Sequence, residues 1–244
     1  MSTAWAYCPD LPRSAPSTAR LGADESKHAS GSRRLRTGDA ITLFDGQGAV
    51  ADGVVGAAAD SGELDIAIRS VRVAARGTPE VDLATALPKG DRFATLLEAA
   101  GPLGVRRLTP LTCERSVVSW SDSMTARAQR VLVASCKQSR QPWLPTIAPR
   151  ATIAEAIRRV HAPSTTVLLA HPEGEPISSV AHALRSGTVP LNEQSVLLVV
   201  GPEGGLTHSE VSAVLSGGGV PVSLGSAILR VELAVACALA AFRG

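Results

Sequence analysis

Val196-Leu-Leu-Val-Val200 runs straight into Gly201-Pro-Glu-Gly-Gly205, and this junction decides the fold class. Five consecutive branched apolar residues with no polar alternation predict a strand covered on both faces, as in a parallel sheet flanked by helices. Sheets of that kind bind ligands at the carboxyl ends of their strands. Gly204 and Gly205 permit positive φ and carry no Cβ to obstruct a flat or zwitterionic ligand, while Pro202 stiffens the turn. Thr207 and Glu210 form a T-x-x-E capping box, so a helix starts directly behind the loop. A strand-to-helix connection with no ligand has the same composition, and a matching piece downstream tips the reading towards a site. That piece is Ser223-Leu-Gly-Ser-Ala-Ile-Leu-Arg-Val-Glu-Leu-Ala234, read as a short strand, a turn at Gly225 and a helix opening around Ile228 to Arg230.

Around these two pieces the chain alternates strand and helix. Val81 to Leu87 reads as a strand, Asp91 to Ala100 as a helix, Arg107 to Pro110 as a short strand and Ser123 to Lys137 as a long helix. Thr165 to Ala170 reads as another buried strand and Ser209 to Leu215 as a helix. Such alternation implies an α/β unit with a parallel sheet. Ala170-His-Pro-Glu-Gly174 is then a third loop leaving a strand end; if the three strands are neighbours, the three loops meet at one edge.

The first part of the chain has a different rhythm. Ile41 to Phe44, Ala49 to Val55, Leu64 to Ile68 and Val71 to Val73 are short alternating strands separated by Gly and Asp, which indicates a small β-barrel over residues 1–75. Gly46-Gln-Gly48 with Ala51 mimics a dinucleotide-binding fingerprint, yet Asp52-Gly53 turns the chain again before any helix can start, so the segment reads as a hairpin. Arg76-Gly-Thr-Pro79 is the linker to the second unit, residues 76–244.

Composition narrows the function classes. The 244 residues carry 24 Lys and Arg against 22 Asp and Glu, a net charge of +2, so any nucleic-acid footprint is local. Aromatics make up 3%, too few for a surface that stacks single-stranded bases without regard to sequence. Cys8, Cys113, Cys136 and Cys237 are widely spaced and form neither a zinc pattern nor a disulfide framework. They read as reduced thiols. The longest apolar stretch, Leu233 to Phe242, is too short to cross a bilayer, and no signal peptide opens the chain; a soluble cytoplasmic protein without metal is expected.

The two glycine pieces together resemble the SPOUT methyltransferases, most closely the RsmE-like enzymes that methylate N3 of a uridine in 16S rRNA. Further matches are Leu87-Pro-Lys-Gly-Asp91, Leu103-Gly-Val105 with Pro110, Glu114-Arg-Ser-Val117, Gln138-Ser-Arg140 and Leu144-Pro145, so the resemblance covers most of the chain. It departs at Ala227, where the family usually has arginine, at Leu233, where threonine is usual, and at Ala99-Ala-Gly-Pro102, which lacks the family's lysine and glutamate.

The resemblance implies a C-terminal trefoil knot, a PUA-like N-terminal barrel that binds RNA, and a homodimer acting on 16S rRNA or the small ribosomal subunit. It implies S-adenosylmethionine as cofactor, wrapped by Leu169, Ala170, His171 and Pro172, by Gly201, Pro202, Glu203, Gly204 and Gly205, and by Leu224, Gly225, Ile228 and Leu229. Backbone recognition of this kind needs glycine and proline geometry more than special side chains. His171 and Glu173 have no third partner at metal-ligand spacing. The catalytic candidates are Arg230 and Glu232. Methylation at N3 spreads negative charge onto O2 and O4, which a guanidinium stabilises although arginine is too basic to accept the proton. Glu232 fits better as a bond to a loop or to a partner subunit than as the base. The RNA candidates are the cluster Arg33, Arg34 and Arg36, and Lys89, Arg115, Gln138 and Arg140 within the matching motifs. The apolar helix Val231 to Phe242 demands cover on several sides, which suits a dimer.

Overall fold

The computed structural model describes residues 3–58, 62–160, 165–187 and 194–243. The chain divides into two compact units: Met1–Arg76 with Cys136–Leu144, and Gly77–Ser135 with Pro145–Gly244.

In the first unit, β1 (Ala4–Tyr7), β2 (Ser17–Arg20), β3 (Ala40–Phe44), β4 (Ala49–Ala58) and β5 (Leu64–Val73) form a sheet in the order β1-β3-β4-β5-β2. β1 lies parallel to β3 and the remaining pairs are antiparallel. Leu64, Ile66 and Ile68 of β5 are buried alternately, the period-two burial of strands, while Ile41 to Phe44 of β3 are all buried. The segment read as two strands, Leu64 to Ile68 and Val71 to Val73, is one strand; a register shift opposite Asp52/Gly53 absorbs the irregularity. β1, β2 and the short helix α1 (Ala23–Lys27) had no sequence signal, being brief and flanked by Pro and Ser.

The fingerprint look-alike at Gly46 is the β3–β4 turn. Asp45 Oδ1 accepts from the amides of Gln47 and Ala49 at 2.7 and 2.9 Å, and Gly46 and Gly48 take φ of 77° and 96°. Trp143 lies on this turn: a Cβ on Gly48 would come within 2.2 Å of the indole, and Arg76 stacks on its ring at 4.1 Å. Lys137 pairs with Glu25 at 2.8 Å. Together with the Leu144 amide donating to Gly46 O, these contacts place Cys136–Leu144 in the first unit, a return of the chain that no local pattern announces.

The second unit is built on β6 (Glu80–Thr85), β7 (Val105–Pro110), β8 (Thr146–Ile147), β9 (Thr165–Pro176), β10 (Ser195–Val200) and β11 (Val220–Ser223), ordered β11-β9-β10-β6-β7-β8. Every pairing is parallel. Val196 through Val200 are all buried, as an apolar strand covered on both faces requires. The helices are α2 (Arg92–Ala100), α3 (Asp122–Ser139), α4 (Ile153–Arg159), α5 (Ile177–Ser186), α6 (His208–Ser216) and α7 (Val231–Ala240). Helix α2 buries Phe93, Leu96, Leu97 and Ala100, one face at helical spacing, and packs against α7. The one buried carboxylate of β6, Asp82, is held by Arg106 Nε and Nη2 at 2.8 and 2.7 Å, since a charge in a sheet core needs a partner.

One expectation needs correction. Ala170 to Gly174 is not a free loop, because β9 continues to Pro176 along β11. Register jumps there from Leu169↔Pro221 to Glu175↔Val222, so residues 170–174 form a wide bulge within a paired strand. The last helix begins at Val231, with Arg230 as its N-cap at φ −67° and ψ 155°, in line with the reading Val231 to Phe242; Gly225 before it takes φ 121°, a region open to glycine.

Candidate active site

Since β11, β9 and β10 are adjacent and parallel, their carboxyl ends open on one edge. A cavity of about 440 Å³ lies there. Its walls come from the β9 bulge (Ala170, His171 and Pro172), from Val200 through Leu206 after β10, and from Leu224 to Leu229 after β11, with Val231 and Ala234 of α7. All the residues assigned to cofactor from the sequence are therefore brought together except Leu169, which is buried in the sheet behind them. Val200, Leu206, Ser226, Ala227, Val231 and Ala234 were missed. All but Leu206, which follows Gly205, lie within the quoted motifs, and Ala227 gives an apolar wall where the family pattern has arginine.

The loop after β10 is tightly determined. The Gly205 amide donates to Pro202 O at 2.8 Å, and Gly205 takes φ 73°, a region open to glycine. A Cβ on Gly201 would lie 2.8 Å from Leu206 Cγ, and one on Gly204 would lie 3.3 Å from Arg115 Cβ. Arg115 Nη1 donates to Gly204 O at 3.0 Å, and Arg92 at the start of α2 pairs with Glu203. Thr207 and Glu210 make the expected reciprocal capping box, and Glu210 Oε1 also accepts from the Glu114 amide at 2.9 Å. Burial alone would raise the Glu210 carboxyl, but the hydrogen bonds from Thr207 and Glu114 outweigh it and hold the group below its ordinary range. Beneath, burial beside Glu210 pushes the Cys113 thiol up to about 11, which leaves it protonated and inert.

On the β9 side, Gly174 crosses the β11 backbone so closely that a Cβ would lie 2.4 Å from Pro221 C and Val222 N. The bulge is thus pinned at its far end. Within it, His171 Nδ1 accepts from the Glu173 amide at 3.3 Å.

Neither catalytic candidate lines the cavity. Arg230 lies between the lining residues Leu229 and Val231 but outside the lining; it is exposed and forms no ion pair among the described residues. Glu232 also lies outside the lining, and its Oε2 is buried without a hydrogen-bond partner among the described residues. Of the RNA candidates in this unit, Lys89 is exposed in the loop after β6 and Arg115 holds Gly204. In the first unit Arg33, Arg34, Arg36, Gln138 and Arg140 are all exposed. Among the described residues Arg34 and Arg140 are the non-glycine positions with positive φ, 54° and 58°. Among the described residues no group of His, Cys, Asp and Glu is arranged to hold a metal, and no helix is long and apolar enough to cross a membrane.

A parallel α/β sheet with a glycine-lined cavity at the carboxyl ends of adjacent strands defines a class that binds a small ligand largely through backbone. The comparisons narrow the class. The RNA methyltransferase domain model matches residues 76–243. Ribosomal RNA small subunit methyltransferase E of Mycobacterium bovis is 32% identical over 231 residues, covering 91% of this chain and 85% of that protein. Its counterpart in Synechocystis sp. is 35% identical over 160 residues, 66% of this chain, and the match spans about half of that relative, 52%. The crystal structure of ribosomal RNA small subunit methyltransferase E from Neisseria gonorrhoeae bound to S-adenosyl methionine superposes with a TM-score of 0.83 at 26% identity, over 99% of this chain and 97% of that one. A putative methyltransferase from Legionella pneumophila with bound SAM gives 0.83 at 24% identity, a likeness of fold. The chain belongs to the RNA methyltransferase domain family, in its ribosomal RNA small subunit methyltransferase E branch. The all-parallel sheet and these neighbours support the SPOUT-type α/β fold.

Proposed function

We propose that the protein transfers a methyl group from S-adenosylmethionine to N3 of a uridine in 16S rRNA. The observation that carries this reading is the cavity at the β9, β10 and β11 ends, whose glycines make the room a cofactor needs. Its volume lies in the range of small-molecule sites, and a Cβ at Gly225 would meet nothing within 4 Å. The apolar walls and backbone-rich loops suit an adenosine and a thioether, so the residues present fit the group. When bound, S-adenosylmethionine supplies an electrophilic methyl group.

The residues of the β9 bulge and the Gly201 and Leu224 loops bind and orient that cofactor. Arg230, exposed between the lining residues Leu229 and Val231, stabilises charge spreading onto the uracil oxygens. Glu232 is a positioning group whose orphaned oxygen is completed by the partner subunit of a homodimer formed through α7. The chain beyond β10 forms the trefoil knot and the first unit is a PUA-like RNA-binding module, with Arg33, Arg34, Arg36, Gln138 and Arg140 on phosphates. The protein works in the cytoplasm on the small ribosomal subunit. Purified protein, incubated with S-adenosylmethionine and small subunits from a strain lacking it, is expected to add one methyl group to one 16S uridine, read by mass mapping of digests. Cofactor binding without methylation of any 16S residue overturns this assignment.

A further inference from the structure

Uracil presents its N3–H between two carbonyl oxygens, an acceptor-donor-acceptor edge. A protein that methylates N3 must remove that proton and hold the charge left on the oxygens. Among the described lining residues, His171 and Glu203 alone carry titratable side chains. They follow the last paired positions of neighbouring strands, Leu169 of β9 and Val199 of β10, His171 within the β9 bulge and Glu203 in the loop after β10. Their surroundings give them opposite roles.

His171 sits in the β9 bulge, pinned by the close Gly174 crossing, and its Nδ1 accepts the Glu173 amide. That bond places the ring proton of the neutral form on Nε2. With Nδ1 committed to that amide, Nε2–H is the ring atom left to donate to a carbonyl oxygen. Glu203 is the reverse case. Its Oε1 is held by Arg92, its Oε2 accepts no bond among the described residues, and its side chain is 38% exposed. The ion pair fixes the carboxylate while leaving one oxygen free to accept.

Resting on the methyl-transfer reading above, we propose that Glu203 is the proton acceptor and His171 Nε2–H the donor to uracil O4, a pair that also selects uracil over cytosine. The N3 proton passes to Glu203 Oε2. The N3 electron pair closes on the methyl carbon of the sulfonium donor as the carbon–sulfur pair returns to sulfur. The products are an N3-methylated base, a neutral thioether and a protonated Glu203 that returns its proton to water. Cytosine offers a bare N3 and an amine at position 4, which set lone pair against carboxylate and donor against donor; sites built on such bonds discriminate strongly. Arg92 is a positioning residue acting through Glu203.

The test uses the full-length protein, S-adenosylhomocysteine as the cofactor probe, and small subunits or a fragment carrying the modified uridine. Glu203→Gln is expected to slow single-turnover methylation at saturating S-adenosylmethionine by about 100-fold or more. Its rate should climb steadily with pH, because hydroxide must now remove the proton. His171→Ala should lower the uridine-over-cytidine preference of the thioether-loaded protein in a binding assay that needs no turnover, and His171→Gln, which restores a donor, should recover part of it. A Glu203→Gln rate equal to wild type at saturating S-adenosylmethionine overturns the assignment of Glu203. An unchanged base preference in His171→Ala overturns that of His171. A wild type that binds the thioether yet methylates no 16S uridine overturns the underlying methyl-transfer reading, and the pair with it.

Discussion

Arg115 Nη1 donates to the carbonyl oxygen of Gly204 at 3.0 Å, so an arginine that resemblance assigns to RNA is also part of the scaffold of the cavity. The Glu114 amide bonds Glu210 on the same segment, and the loop after β10 is thereby tied to the chain after β7. Arg115→Ala should loosen that loop and weaken S-adenosylhomocysteine binding by about tenfold, in line with loss of one charge-assisted hydrogen bond at a partly exposed position. Isothermal calorimetry decides it: unchanged affinity would mean that Arg115 serves RNA alone.

Gly174 makes the sharpest packing prediction. A Cβ there meets the Pro221–Val222 backbone at 2.4 Å, and backbone atoms have no flexible end to yield. Gly174→Ala must push β11 from β9 and should cost about 1–3 kcal/mol, seen as a lower denaturation midpoint. Gly218→Ala is the contrast, since nothing lies within 4 Å of its Cβ position and its positive φ of 79° is the sole cost. Equal losses from the two would show that the β9–β11 crossing is free to relax.

Much of the site was legible because its chemistry is local. The Val196–Val200 run, the glycines behind it and the Thr207–Glu210 box each follow from a few neighbouring residues, and they met where expected. Long-range pairing was not legible. Nothing in Ala170-His-Pro-Glu-Gly174 reveals that it is pinned against Pro221, nor does Trp143 reveal that it rests on Gly48. The Arg92–Glu203 pair joins residues 111 apart in sequence, and only folding brings them together.

The exposed cluster Arg33, Arg34 and Arg36 makes no ion pair among the described residues. Replacing all three by Gln should lower RNA affinity and reduce the slope of log affinity against log salt by about 2 to 3, as three fewer phosphates are neutralised. Cofactor affinity should not change. Filter binding across a salt series checks this, and an unaltered slope would move the RNA footprint elsewhere.

Helix α7 leaves Leu233 50% exposed, with Cys237 and Ala240 exposed on the following turns, while Val235, Ala238 and Leu239 are buried within the protomer. An apolar helix with an open apolar face gains by covering it, and a twofold dimer is the commonest way. Leu233→Glu should turn a dimer into a folded monomer, because the side chain already lies half outside the core. Light scattering with circular dichroism separates the cases: a wild type that is monomeric at micromolar concentration sinks the dimer.

Arg230 caps α7 without a side-chain capping bond and forms no ion pair among the described residues, so its removal should cost little stability. It is exposed between the lining residues Leu229 and Val231, and in the proposed mechanism it gains importance as charge appears on the base. An interaction that strengthens only on the way to the transition state lowers kcat and leaves binding intact when removed. Arg230→Ala is therefore expected to keep S-adenosylhomocysteine affinity and most RNA affinity while slowing single-turnover methylation of small subunits by about 100-fold. Arg230→Lys should recover part of the rate, since charge persists without the planar fork. If Arg230→Ala methylates at the wild-type rate, the arginine has no part in the chemistry and the uracil charge is held by the cavity's own donors.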